Sequence, residues 1–122
     1  MDRDEANDLL FEAACTGETT TVRRLVAAGI NVNTKDNYGC GRTALHNAAL
    51  NGQNDVIQLL LASGAKVDVK ADLDGKTALD YATLARHVEA AKLLKEAAKE
   101  QQGHAGRVTG ERKDKGPPQV GG

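Results

Sequence analysis

The stretch Thr43-Ala44-Leu45-His46-Asn47-Ala48-Ala49-Leu50-Asn51-Gly52 returns in altered form 34 residues later as Thr77-Ala78-Leu79-Asp80-Tyr81-Ala82-Thr83-Leu84-Ala85-Arg86. Working backward, Ala13-Ala14 and Gly17 stand 35 residues before Ala48-Ala49 and Gly52. Working forward, Leu59-Leu60-Leu61 and Gly64 echo Arg24-Leu25-Val26 and Gly29, and Ala65-Lys66-Val67-Asp68 echoes Ile30-Asn31-Val32-Asn33. Gly75-Lys76-Thr77 likewise repeats Gly41-Arg42-Thr43. Self-similarity at this spacing marks units that cannot hide their apolar faces alone and therefore stack on one another.

Each repeated residue has a local physical reason. Thr43 and Thr77 suit helix N-caps, because a hydroxyl accepts from an otherwise unpaired N–H of the first turn. Asp80, three residues after Thr77, completes a pattern like a capping box. Ala48-Ala49 lets a short first helix approach its neighbour closely. Gly17 and Gly52 suit a turn with positive φ, after which a second helix is predicted over about Thr21–Ala28 and Asp55–Ser63. There Val56, Leu59 and Leu60 recur at helical spacing and face the core between repeats. Gly29 and Gly64 end these helices, and Val32 and Val67 anchor the following loops. Arg86 stands where the earlier turns have glycine; because a left-handed arginine is strained, a re-routed turn is expected there.

The joint pattern resembles the ankyrin repeat family, whose units of about 33 residues carry a T-P-L-H-x-A core. The resemblance spans about residues 6–100. It implies an all-α solenoid of stacked helix-turn-helix units joined by short hairpin-like finger loops. Residues 1–102 would form the repeat domain, with repeats at about 6–36, 37–71 and 72–102. The first and last would act as caps: the acidic Asp2–Asp8 stretch replaces the opening turn, and a long Ala/Lys/Glu-rich helix closes the chain. His46 is then structural, bonding the preceding turn and the neighbouring loop. His87 and His104 are expected to be solvated.

Composition excludes several functions. The chain has 122 residues with a net charge of −1, so it lacks the basic stripe of a nucleic-acid binder. Hydrophobic residues form 40%, yet there is one Phe, two Tyr and no Trp, which suits Ala-lined helices rather than a sandwich or barrel. No apolar run approaches the roughly 18 residues of a membrane span, and the acidic start is unlike a secretory signal. The two cysteines, Cys15 and Cys40, read as reduced thiols of a cytoplasmic protein, or a nuclear one if eukaryotic. Residues 103–122 hold six Gly, two Pro and a net charge of +2, the composition of a disordered tail.

No nucleophile elbow, phosphate loop, zinc motif or dinucleotide fingerprint is present. Gly39-Cys40-Gly41 reads as a lengthened loop rather than a catalytic thiol. No enzyme activity, cofactor or metal is expected. The chain is instead read as a non-enzymatic adaptor or scaffold, a monomer with weak self-association as a testable variant. It would bind another protein through the fingers and the concave face of the first helices. The resemblance assigns this surface to Tyr38, Cys40 and Arg42 on the first finger, and to Leu73, Asp74 and Lys76 on the second. Leu50, Asn51 and Leu84 are assigned from the helices, with Cys15, Thr16 and Ala85 at equivalent positions. Leu50, Leu73 and Leu84 could together form an apolar patch, the alternative being that Leu50 and Leu84 pack against the fingers. The structural set is Thr43, His46, Gly52, Leu59, Leu60, Gly64 and Thr77. An alternative gives the function to the tail, as a regulatory or inhibitory subunit touching an enzyme or receptor.

Overall fold

A computed structural model describes residues 3–36 and 39–105. Among these residues there are six helices and no strand: α1 (Arg3–Thr16), α2 (Thr19–Ala27), α3 (Ala44–Leu50), α4 (Asn54–Ala62), α5 (Ala78–Leu84) and α6 (Val88–Ala105). They form three antiparallel pairs in two layers. The first helices pack α1 on α3 on α5, and the second helices pack α2 on α4 on α6. The stacked all-α architecture expected from the repeats is the one observed.

Local chemistry builds each pair as the sequence indicates. The Thr43 hydroxyl accepts from the His46 N–H (3.4 Å) while His46 Nδ1 accepts from the Thr43 N–H (3.0 Å). Thr77 and Asp80 make the equivalent reciprocal cap at 3.2 and 3.0 Å. Gly17 and Gly52 both carry positive φ. Across the second turn, the Gln53 N–H closes on the Ala48 carbonyl at 2.9 Å.

Arg86 corrects the expectation of a re-routed turn. It adopts φ 64°, and His87 N–H still closes on the Ala82 carbonyl at 2.9 Å. The backbone keeps the turn because α6 must start in register with α4 to pack on it. The left-handed conformation costs about 1–2 kcal/mol for a residue with a Cβ, and the two turn hydrogen bonds made by Arg86 and His87 help to hold it.

The core runs unbroken through the stack, with Leu10, Val22, Leu45, Val56, Ile57, Leu60 and Leu94 fully enclosed. Leu59 is partly buried against it. Side chains also stitch neighbouring repeats through backbone groups. Asn33 donates to the Gly64 carbonyl (3.2 Å) and accepts from the Lys66 N–H (2.9 Å). One repeat later, Gln101 donates to the Ala65 carbonyl (3.0 Å) and accepts from the Val67 N–H (3.1 Å).

The outer units differ from the middle one in what covers them. Leu45 is enclosed by the third repeat, whereas Leu79, at the same position one unit later, is only partly buried. Phe11 fills the place of His46 in the first unit and is buried. α6 runs to Ala105, past the boundary expected at Gln102, since extending a formed helix costs little. The remainder of the proposed tail, residues 106–122, lies outside the described residues.

Candidate functional site

The two fingers are built by the same backbone closure. Asp36 N–H bonds the Arg42 carbonyl, and Ala71 N–H bonds the Lys76 carbonyl, both at 2.8 Å. The first finger is the longer by one residue, because Lys35 to Thr43 is eight steps and Lys70 to Thr77 is seven. Within it, the Asp36 carboxylate accepts from the Gly41 and Arg42 N–H groups, each at 3.3 Å. The fingers are joined by Leu73 N–H to the Cys40 carbonyl (3.1 Å) and by a Lys35–Asp72 ion pair at 2.6 Å.

His46 ties the second finger to the core. Its Nδ1 accepts from the Thr43 N–H, so the ring proton sits on Nε2 and is donated to the Lys76 carbonyl at 2.9 Å. Burial holds its pKa below the ordinary value, and the Arg42 charge adds to that, against the opposing pull of the Lys76 and Val69 carbonyls. The neutral ring is the form that fits, because a proton on Nδ1 would face the Thr43 N–H. The structural role expected for His46 is the one observed.

Tyr81 joins the expected residues into a cluster. Its ring meets His46 edge-on, with centroids 5.3 Å apart, and its side chain is buried, with only 4% of the residue exposed. Arg42 lies over the same ring, 4.9 Å from its centroid. Arg42 Nε donates to the Tyr81 hydroxyl at 3.1 Å, and that hydroxyl donates to the Asp74 carboxylate at 2.9 Å. Burial and the bond to Asp74 push the Tyr81 pKa up, against the influence of Arg42. Desolvation acts to raise the Asp74 carboxyl, yet its bonds from Tyr81 and the Lys76 N–H and the charges of Lys76 and Arg42 hold it below its ordinary value.

The assigned surface residues therefore divide. Leu73 and Leu84 are open to solvent at 70% and 65%, while Leu50 is exposed by only 37%. Arg42 and Asp74 are fixed by Tyr81 rather than free at the rim. Cys40 is half-buried and Lys76 partly so. The exposed Asn51 turns its amide back onto the Asn47 carbonyl at 2.8 Å. Tyr38 lies outside the described residues.

His87 corrects the expectation of a solvated ring. Its Nε2 pairs with the Leu50 carbonyl at 3.1 Å, because it occupies the position that Gln53 fills one repeat earlier. Tyr81 is the site residue that pattern reading missed. The available signal was an aromatic at the register of Asn47, in a chain with two tyrosines.

The Cys15 thiol is raised by burial, with Arg42 opposing and Glu12 adding to the rise, so it is not an activated nucleophile. Among the described residues, no cluster of potential metal ligands is present and no helix is long and apolar enough to cross a membrane.

Comparison with known proteins agrees with this geometry. The family description "Ankyrin repeats (3 copies)" matches residues 9–103. The chain is 38% identical over 96 residues to a protein of Caenorhabditis elegans named putative glutaminase 2, covering 78% of this chain and 15% of that protein. It is 36% identical over 85 residues to human ankyrin repeat and SOCS box protein 16, covering 70% of this chain and 18% of that protein. It is 33% identical over 82 residues to ankyrin repeat domain-containing protein 37 of Xenopus tropicalis, covering 67% of this chain and 48% of that protein. The chain thus spans less than a fifth of the first two relatives. Ankyrin repeats generally mediate protein–protein interaction and are typically not enzymes. With the period, the reciprocal caps and the family match in agreement, the chain belongs to the ankyrin repeat family.

Proposed function

We propose that the chain is a non-enzymatic adaptor module that binds a partner protein through its fingers and the adjoining face of its first helices. The observation that carries this reading is the exposure of Leu73 and Leu84 beside the fixed Arg42–Tyr81–Asp74 cluster. Leu84 follows Tyr81 by one helical turn and so shares its face, and Leu73 neighbours Asp74. Large apolar groups left open beside ordered polar groups are characteristic of interaction surfaces. Two fingers present a small footprint, at or below the ~800 Å² per partner of a standard interface, which suits a modest-affinity or co-assembled complex. Two free thiols, Cys15 and Cys40, suit a reducing compartment such as the cytoplasm.

Quantitative affinity purification tests the reading. Partner recovery should fall for the Leu73→Ser/Leu84→Ser double variant and persist for Lys92→Ser/Lys95→Ser, on the second-helix layer. Equal recovery with both variants, or equal loss, contradicts the assigned face.

A further inference from the structure

On the finger-face reading, the geometry points to Arg42 as a preformed anchor for one carboxylate, an Asp or Glu side chain with apolar neighbours in the partner protein. The arginine is held from beneath by a continuous series of contacts reaching into the core. The Lys76 carbonyl fixes the His46 ring, and His46 packs edge-on against Tyr81. Tyr81 is locked by Asp74, and Arg42 lies on the Tyr81 face with its Nε bonded to the hydroxyl.

Only Nε is engaged in this arrangement. Among the described residues, the terminal Nη groups of Arg42 make no hydrogen bond or ion pair. A guanidinium fork already held in one orientation loses less rotamer freedom on binding, and its paired N–H groups match a carboxylate bidentately.

Charge decides the kind of anion. Asp36 accepts backbone N–H groups, Asp72 pairs with Lys35, and Asp74 accepts from Tyr81 and the Lys76 N–H. The acids of both fingers are thus engaged within the protein. Across the two fingers, Lys35, Arg42, Lys70 and Lys76 stand against Asp36, Asp72 and Asp74, a net charge of +1 that suits a carboxylate better than a doubly charged phosphate. Leu84, exposed one helical turn beyond Tyr81, and Leu73, exposed beside Asp74, supply apolar ground for the residues flanking that acid.

The test is selection of a displayed library of random dodecapeptides on the full chain. Enriched peptides should share an Asp or Glu among apolar residues. Their affinity should fall about tenfold when that acid becomes its amide, and by a similar factor with Arg42→Lys, which keeps the charge and loses the fork. Tyr81→Phe should weaken binding less, and added salt should weaken the wild-type complex. Replacing the acid by phosphoserine should give no gain.

Peptides lost with Leu73→Ser/Leu84→Ser yet indifferent to Arg42→Lys and to the amide overturn the carboxylate anchor and leave the finger face standing. Tighter binding of the phosphoserine form also overturns it, in favour of phosphopeptides. No enriched peptide, or peptides indifferent to every finger-face variant, overturns both readings. The amide comparison uses wild-type protein throughout, so a folding defect in a variant cannot mimic the expected result.

Discussion

The Gln53 side chain crosses Gly17 and donates from Nε2 to the Cys15 carbonyl at 2.9 Å. It passes 2.5 Å from where a Cβ at position 17 would stand. His87 repeats the relationship over Gly52, with its Nδ1 2.7 Å from the would-be Cβ and its Nε2 paired with the Leu50 carbonyl. Each turn glycine therefore answers two demands, a left-handed backbone and a side chain arriving from the next repeat.

Gly52→Ala should consequently cost more than Gly64→Ala. Both residues have positive φ, but space around Gly64 is open. Backbone strain of about 1–2 kcal/mol applies to each, and at Gly52 the His87 ring must also move and lose its bond. Urea titration of the two variants, at unchanged slope, measures the difference. Equal losses would mean that the inter-repeat contact contributes nothing.

Arg86→Gly should leave stability unchanged or raise it by up to about 1 kcal/mol. Relief of left-handed strain is partly offset by the greater freedom of glycine in the unfolded chain. A thermal melt showing a clear loss would indicate that the arginine side chain makes a stabilising contact.

Acid should weaken the fold through His46. Its folded pKa lies below the ordinary value of 6.5 because of burial, so the unfolded chain binds the proton more readily. Stability is complete above that value and is lost as pH falls through the lowered pKa. His46→Gln should be less stable near neutrality by about 1–3 kcal/mol, from the lost buried hydrogen bonds. Its melting temperature should then change less than that of wild type between neutrality and about pH 5.

Core truncations should grade with position in the stack. Leu60→Ala and Leu45→Ala, both enclosed, should each cost roughly 2–5 kcal/mol, enough to unfold much of a domain toward the low end of ~5–15 kcal/mol. Leu79→Ala should cost less, because its outer side is uncovered. Circular-dichroism melts that rank Leu79 with Leu45 would contradict an open third repeat.

The stacked fold was readable because its information is local and recurs. Thr43 and Thr77 meet the same capping demand, Gly17 and Gly52 the same turn, and Leu25 and Leu60 the same buried stripe, so one unit explains the next. Arg86 was misread because the rule against left-handed arginine is a local one, and the register of α6 on α4 overrode it. The Tyr81 cluster was not readable: Arg42 and Tyr81 are 39 positions apart in the chain, and no periodic pattern joins a finger residue to the helix of the following repeat.

Amino-acid order alone thus settled the architecture, since capping, glycine turns and apolar spacing act within a few residues and say the same thing in each unit. It also named a candidate partner surface on the fingers and first helices. Which polar groups on that surface are free and which are held was settled by packing one repeat against another. Hydrogen bonds such as Arg42 to Tyr81, Tyr81 to Asp74 and His87 to Leu50 depend on where distant segments meet, and that meeting exists only once the stack has formed.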